Sequence, residues 1–148
     1  MTLSLRTFAI DTFVPVLRSL SGLLDKGAAH AAEKKFDPAV LVGARLAPDM
    51  FPLSMQVQIA CDQAKNNVAR LAGQEPPKFE DNEKTLDELK TRIAKTIAYI
   101  EGVPAAGFEG AEERAIAIPL QAGMELAVNG LQLLRDWTLP NFYFHVVT

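Results

Sequence analysis

Arg45-Leu46-Ala47-Pro48-Asp49-Met50-Phe51-Pro52 lies between two long amphipathic patterns, and its reading decides the fold. A proline ring fixes φ and carries no N–H, so Pro48 marks the stop of one helix and Pro52 the start of another. Arg45 and Asp49 place opposite charges among Leu46, Met50 and Phe51. That arrangement predicts a partly buried internal ion pair fixing the linker; the alternative is a guanidinium fork free for a substrate carboxylate or phosphate.

Upstream, Phe13, Val16, Leu17, Leu20, Leu23, Leu24 and Ala28 recur at the spacing of one helical face. Thr12 reads as its N-cap and Pro15 as a first-turn residue, where the missing N–H is not needed. The alanine-rich stretch carries this helix to Lys35, and a short helical turn follows over 39–44. Downstream, Leu53, Val57, Ala60, Cys61, Ala64, Val68 and Leu71 form the cleanest stripe of the chain, closed by Gly73. Cys61 lies inside that stripe and reads as a small buried hydrophobe rather than a nucleophile.

Residues 74–83, with Pro76, Pro77 and several acids, read as a surface linker. Thr85 followed by Glu88 is a capping-box pattern that opens a third helix, with Leu86, Leu89, Ile93, Thr96, Ile97 and Ile100 on its inner face. Lys90, Arg92 and Lys95 read as its solvated side. Gly102 and Pro104 end it, and Phe108 packs back from the loop. The period then changes: 115–119 and 124–128 are short strand-like runs that suit a small accessory hairpin lying across the helices. Asn129-Gly130 opens a last helical segment through Leu131, Leu134 and Trp137, which Pro140 interrupts, so that a fresh helix begins at Asn141. Phe142, Tyr143 and Phe144 are consecutive and cannot all face one core; Tyr143 is expected to reach a pocket or a second subunit.

The 148 residues fit a single domain, 1–148, able to bury a core without disulfides, and a hydrophobic share of 49% with 22% charged residues is that of an ordinary globular protein. A net charge of −3 with scattered Lys and Arg gives no basic face for nucleic acid. One cysteine, no signal-like segment and no run approaching a membrane span point to a cytoplasmic protein without a membrane partner. No glycine-rich phosphate loop, Cys-x-x-Cys, His-Glu-x-x-His or Gly-x-Ser-x-Gly occurs, and Glu112-Glu113 reads as a solvated pair.

Residues 44–53, residues 56–65 and Leu139-Pro140-Asn141-Phe142-Tyr143-Phe144-His145, joined by Phe79-Glu80-Asp81 and Arg92-Ile93, carry a resemblance to a bacterial domain-of-unknown-function family in the DinB/YfiT-like superfamily of metalloenzymes. The resemblance implies an all-α four-helix bundle in up-down-down-up order, with the β-hairpin on the crossover before the last helix. Members of the family usually continue the last helix for several turns, so a last helix truncated at Thr148 is expected here, with exposed apolar surface that favours a homodimer.

In better-known superfamily members three histidines hold the metal, one on the second helix and two spaced by four residues on the last. Here His145 matches one last-helix position, Asn141 stands four residues before it, and the second helix offers Gln58 and Asp62. Amides are poor ligands for a borderline-soft ion, so no cofactor is expected; a weaker divalent metal site of Asp62, His145 and Asn141 is the alternative. Asp62 and His145 are expected to meet as a hydrogen-bonded pair pinning two helices, and His30 to satisfy a carbonyl at the end of the first helix. The function that follows is an uncharacterised DinB-like protein with a decayed or altered metal site, either structural or binding a small molecule at Arg45, Asp49, Gln58, Asn141 and Tyr143. Its alternative is a metal-dependent hydrolase or thiol-handling transferase using His145 and Asp62.

Overall fold

The computed structural model describes residues 4–148, and the chain is mostly helical with one small antiparallel sheet. The first helix, α1 (Leu5–Lys34), begins seven residues before Thr12: the Ser4 side chain accepts from the Thr7 N–H, and Pro15 lies inside the helix rather than in its first turn. Pro15 is tolerated because it sits on the exposed face, where the carbonyl deprived of its partner meets water. Leu5, Ala9, Phe13, Leu17, Leu20 and Leu24 form the buried stripe. By length and composition alone α1 is long and apolar enough to cross a membrane, which corrects the expectation that no run approaches that limit. Its sequence is nonetheless two-sided, and the buried stripe packs against other helices of the fold.

Lys35, with a left-handed φ of 59°, closes α1, and Phe36 N–H donates to the Ala31 carbonyl. His30 makes no carbonyl cap; it is exposed and stands edge-on to Phe36. After the short α2 (Ala39–Val42) the chain turns through the proline-bracketed stretch. The helix has already ended at Gly43, five residues before Pro48, whereas Pro52 is the extended cap residue of α3 (Leu53–Leu71). Two backbone bonds shape the turn, Met50 N–H to Ala47 O and Leu53 N–H to Ala44 O.

The helix α4 (Leu86–Gly102) starts with the reciprocal Thr85–Glu88 capping box. α3 is the central element, packing on α4, on α1 and on the last helix, while α1 also packs on α4. Phe108 is buried in the loop after α4, and the Arg114 side chain ties this crossover to the end of α3 through the carbonyls of Leu71, Gly107 and Glu109. The hairpin of β1 (Ala115–Pro119) and β2 (Glu125–Asn129) pairs Ile116 with Val128 and Ile118 with Leu126 on the face turned to the core.

Pro140 does not break the last helical segment. Residues 130–147 run on as α5 (Gly130–Gln132), a π-helical stretch Leu133–Thr138 and α6 (Leu139–Val147). Leu139 N–H donates to the Leu134 carbonyl, five residues back, and that wide turn places Pro140 where the ladder changes register, so its missing N–H costs no regular bond. Gly130 is required at the start of this run, because a Cβ there would lie 1.9 Å from the Ala111 carbonyl oxygen.

Candidate functional site

His145 extends from α6 towards α3, and its Nδ1 lies 2.7 Å from Oε1 of Gln56. The Gln56 amide is oriented by its other end, since Nε2 donates to the Phe51 carbonyl at 3.3 Å. The oxygen facing His145 therefore accepts, Nδ1 carries the proton, and Nε2 keeps its lone pair with no hydrogen-bond partner among the described residues. Burial holds the imidazole below its ordinary pKa, which favours this neutral form.

Gln56 and His145 line a cavity of about 320 Å³ whose other walls are largely aliphatic, including Leu20, Leu41, Leu53 and Val57. Arg45 also lines it. The guanidinium donates from Nη1 to the Met50 carbonyl at 2.6 Å and makes no ion pair with Asp49, and both side chains are exposed. The turn bends Arg45 back onto its own backbone, so the internal ion pair expected from the sequence is replaced by a cation–carbonyl bond. One organic cation, one ring acceptor and an apolar lining thus meet in one concavity, the usual composition of a small-molecule site.

Asp62 and His145 do not meet. Gln56, not Asp62, faces His145, and six residues along α3 turn a side chain by about 240° and advance it by about 9 Å. Asp62 belongs to a second cluster, bound to Arg92 at 3.1 Å and to Lys65 at 2.9 Å. Arg92 is buried, contrary to the solvated face expected of it: it also bonds Asp81 at 2.9 Å, Glu83 at 3.0 Å and the Glu80 carbonyl at 3.1 Å. Gln58 donates to Glu83 at 2.9 Å, and Lys65 donates to the Pro77 carbonyl. Phe79 lies against Lys65 and Lys95, with their ammonium nitrogens 4.4 and 4.0 Å from the ring centroid. Together these groups fasten the 74–84 linker to α3 and α4. The open trough of about 520 Å³ beside them is larger than the His145 cavity, but its buried charges, Arg92 and Glu83, pair with each other, and Glu88 is spent on the N-terminal cap of α4.

The remaining sequence candidates lie apart. Asn141 donates to the Trp137 carbonyl at 2.7 Å, and Tyr143 is exposed and edge-on to the buried Phe142. Cys61 is fully buried, its thiol pushed up to about 12 chiefly by desolvation. Of the predicted residues, only Arg45 and His145 share the cavity. Gln56 was not among them, although a glutamine inside the apolar α3 stripe, three residues after Leu53 and four before Ala60, signals a buried polar partner.

A mostly helical fold with a small hairpin on the crossover, and an imidazole–amide pair between α3 and α6, define the class: a helical protein with an apolar cavity beside its last helix. The chain belongs to the family described as a domain of unknown function, DUF1993, whose model matches residues 5–148. It is similar to the crystal structure of a DinB family member protein from Shewanella denitrificans, with 42% identity, a TM-score of 0.86, and coverage of 94% of this chain and 78% of that one. No curated protein matches.

The three-histidine metal set of the superfamily does not fit these residues. His145 faces a glutamine oxygen, Asp62 is engaged by two cations, and no group of three or more His, Cys, Asp or Glu among the described residues converges on a point.

Proposed function

We propose that this DUF1993 member is a four-helix-bundle, DinB-like protein with an altered metal site that binds a small amphiphilic molecule in the His145 cavity. The supporting observation is the Gln56–His145 pair, which presents a neutral imidazole acceptor to an apolar cavity that Arg45 also lines. The packing of α3 on α1, α4 and α6, of α1 on α4, and of Phe13 in α1 against Phe142 in α6 supports the bundle. A cytoplasmic homodimer belongs to the same proposal, with the exposed Tyr143 and Phe144 as candidate contacts. A hydrolase or transferase that pairs His145 with Asp62 has no support, because Arg92 and Lys65 hold Asp62 elsewhere.

Imidazole NMR tests the cavity directly. Titration with 1-octanol is expected to shift the His145 signals saturably, to leave His30 unchanged, and to fail in Leu53→Trp, which fills the space. Absence of any saturable His145 shift with small amphiphiles would overturn the ligand-binding proposal. Elemental analysis of the untagged protein addresses the metal separately: far less than one equivalent of zinc is expected, and one equivalent lost in His145→Ala would refute an altered site.

A further inference from the structure

The unspent polar capacity of the cavity narrows the ligand. Gln56 is used at both ends, its oxygen by His145 and its nitrogen by the Phe51 carbonyl. Arg45 spends one N–H on the Met50 carbonyl, and its charge has no carboxylate partner among the described residues. His145 offers a lone pair at Nε2 and no further donor. A complementary ligand brings one negative charge and one hydrogen-bond donor. The aliphatic walls require the rest of it to be apolar. At about 30 Å³ per water-sized group, the volume admits about ten such groups.

Resting on the cavity being a ligand site, we propose that its ligand is a medium-chain 2-hydroxy carboxylic acid, the carboxylate held by Arg45 and the hydroxyl donating to His145 Nε2. A planar guanidinium suits a carboxylate better than an alcohol, and a ring acceptor rewards a hydroxyl that plain fatty acids lack. The apolar chain lies along Leu20, Leu41, Leu53 and Val57.

The test compares 2-hydroxyoctanoate, octanoate and 1-octanol by calorimetry and by the His145 NMR shift, in the wild type, Arg45→Met and His145→Phe. Arg45 is exposed, so Arg45→Met is expected to fold normally. In the wild type, 2-hydroxyoctanoate binds more tightly than octanoate by about 3- to 10-fold, the worth of one net hydrogen bond, and octanoate more tightly than 1-octanol. Arg45→Met abolishes the preference for the acids over the alcohol, and His145→Phe, read by calorimetry alone, abolishes the preference for the hydroxy acid while keeping that for octanoate over 1-octanol. Equal affinities for all three probes, unchanged by Arg45→Met, would overturn the hydroxy-acid assignment and leave the ligand site standing. No binding of any probe would overturn the ligand site itself.

Discussion

Replacing Arg92 by methionine is expected to lower stability by about 3 kcal/mol, the lower end of the cost of removing one partner from a buried ionic cluster. The magnitude follows from what each partner loses. Asp81 has a side chain 58% exposed and returns to water at little cost. Asp62, 35% exposed, keeps Lys65 at 2.9 Å. Glu83 is the expensive one: its side chain is only 9% exposed, and without Arg92 its charge keeps only neutral donors, the Gln58 amide and a backbone N–H. Burial pushes the Glu83 carboxyl up, but hydrogen bonds from Arg92 and Gln58 outweigh it and hold the carboxyl below the ordinary range. In the wild type this contribution is present above the unfolded pKa of about 4.3 and is lost as pH falls through the lower folded value. In Arg92→Met burial dominates, the folded pKa rises above the unfolded one, and the sign reverses: the variant gains stability as pH falls from 7 towards 5. Urea unfolding at both pH values measures this, with the midpoint shifting and the slope constant. Arg92→Met/Glu83→Gln is expected to recover about 2 kcal/mol at pH 7. A single variant costing under about 1 kcal/mol, or a double variant as costly as the sum of the singles, would refute the view of Glu83 as a charge that Arg92 makes tolerable.

Three further outcomes are expected. Gly130→Ala forces a Cβ against the Ala111 backbone carbonyl and is expected to cost about 3 kcal/mol, at the upper end of overpacking penalties, read as a lowered thermal midpoint; an unchanged midpoint would show that the crossover yields freely. Cys61, with its thiol pushed up to about 12 by burial, is expected to react with a thiol-specific disulfide reagent at pH 8 only as fast as the protein unfolds, and a burst of labelling in native buffer would contradict that burial. His145 is expected to titrate below an ordinary histidine and to carry its proton on Nδ1 by ¹⁵N shifts, while Gln56→Leu returns it to the commoner Nε2–H form. Because the folded pKa is depressed, its contribution to stability is intact above the unfolded value of about 6.5 and is lost as pH falls towards the folded one.

What could be read from the sequence was what local chemistry determines. The Thr85–Glu88 box, the α3 stripe and the alternation of 115–119 each depend on residues within one or two turns of each other, and each formed the element expected. The start of α1 lies earlier than Thr12 because a proline that invites a first-turn assignment is harmless inside a helix when its face is exposed, and the sequence around Pro15 does not show that exposure. Pro140 misled for a related reason: a π turn cannot be inferred from a proline, yet it removes the conflict the proline creates.

The two residues whose burial matters most, Gln56 and Arg92, share a signature in the sequence. Each occupies a position that the apolar period reserves for the core: Gln56 between Leu53 and Ala60, and Arg92 between Leu89 and Thr96. A polar side chain held at such a position must find partners from outside its own helix, since desolvation without them costs several kcal/mol. For Arg92 the partners come from the acidic 80–83 strap and from Asp62, and the result is structural, because every charge is answered within the protein. For Gln56 the partner is an imidazole whose second nitrogen has no partner among the described residues, in a cavity that Arg45, bonded to the Met50 carbonyl, also lines. That difference, carboxylates paired to Arg92 on one side of α3 and an imidazole nitrogen without a partner among the described residues on the other, is the reason for proposing the smaller, more apolar cavity rather than the larger trough as the place to look for a ligand.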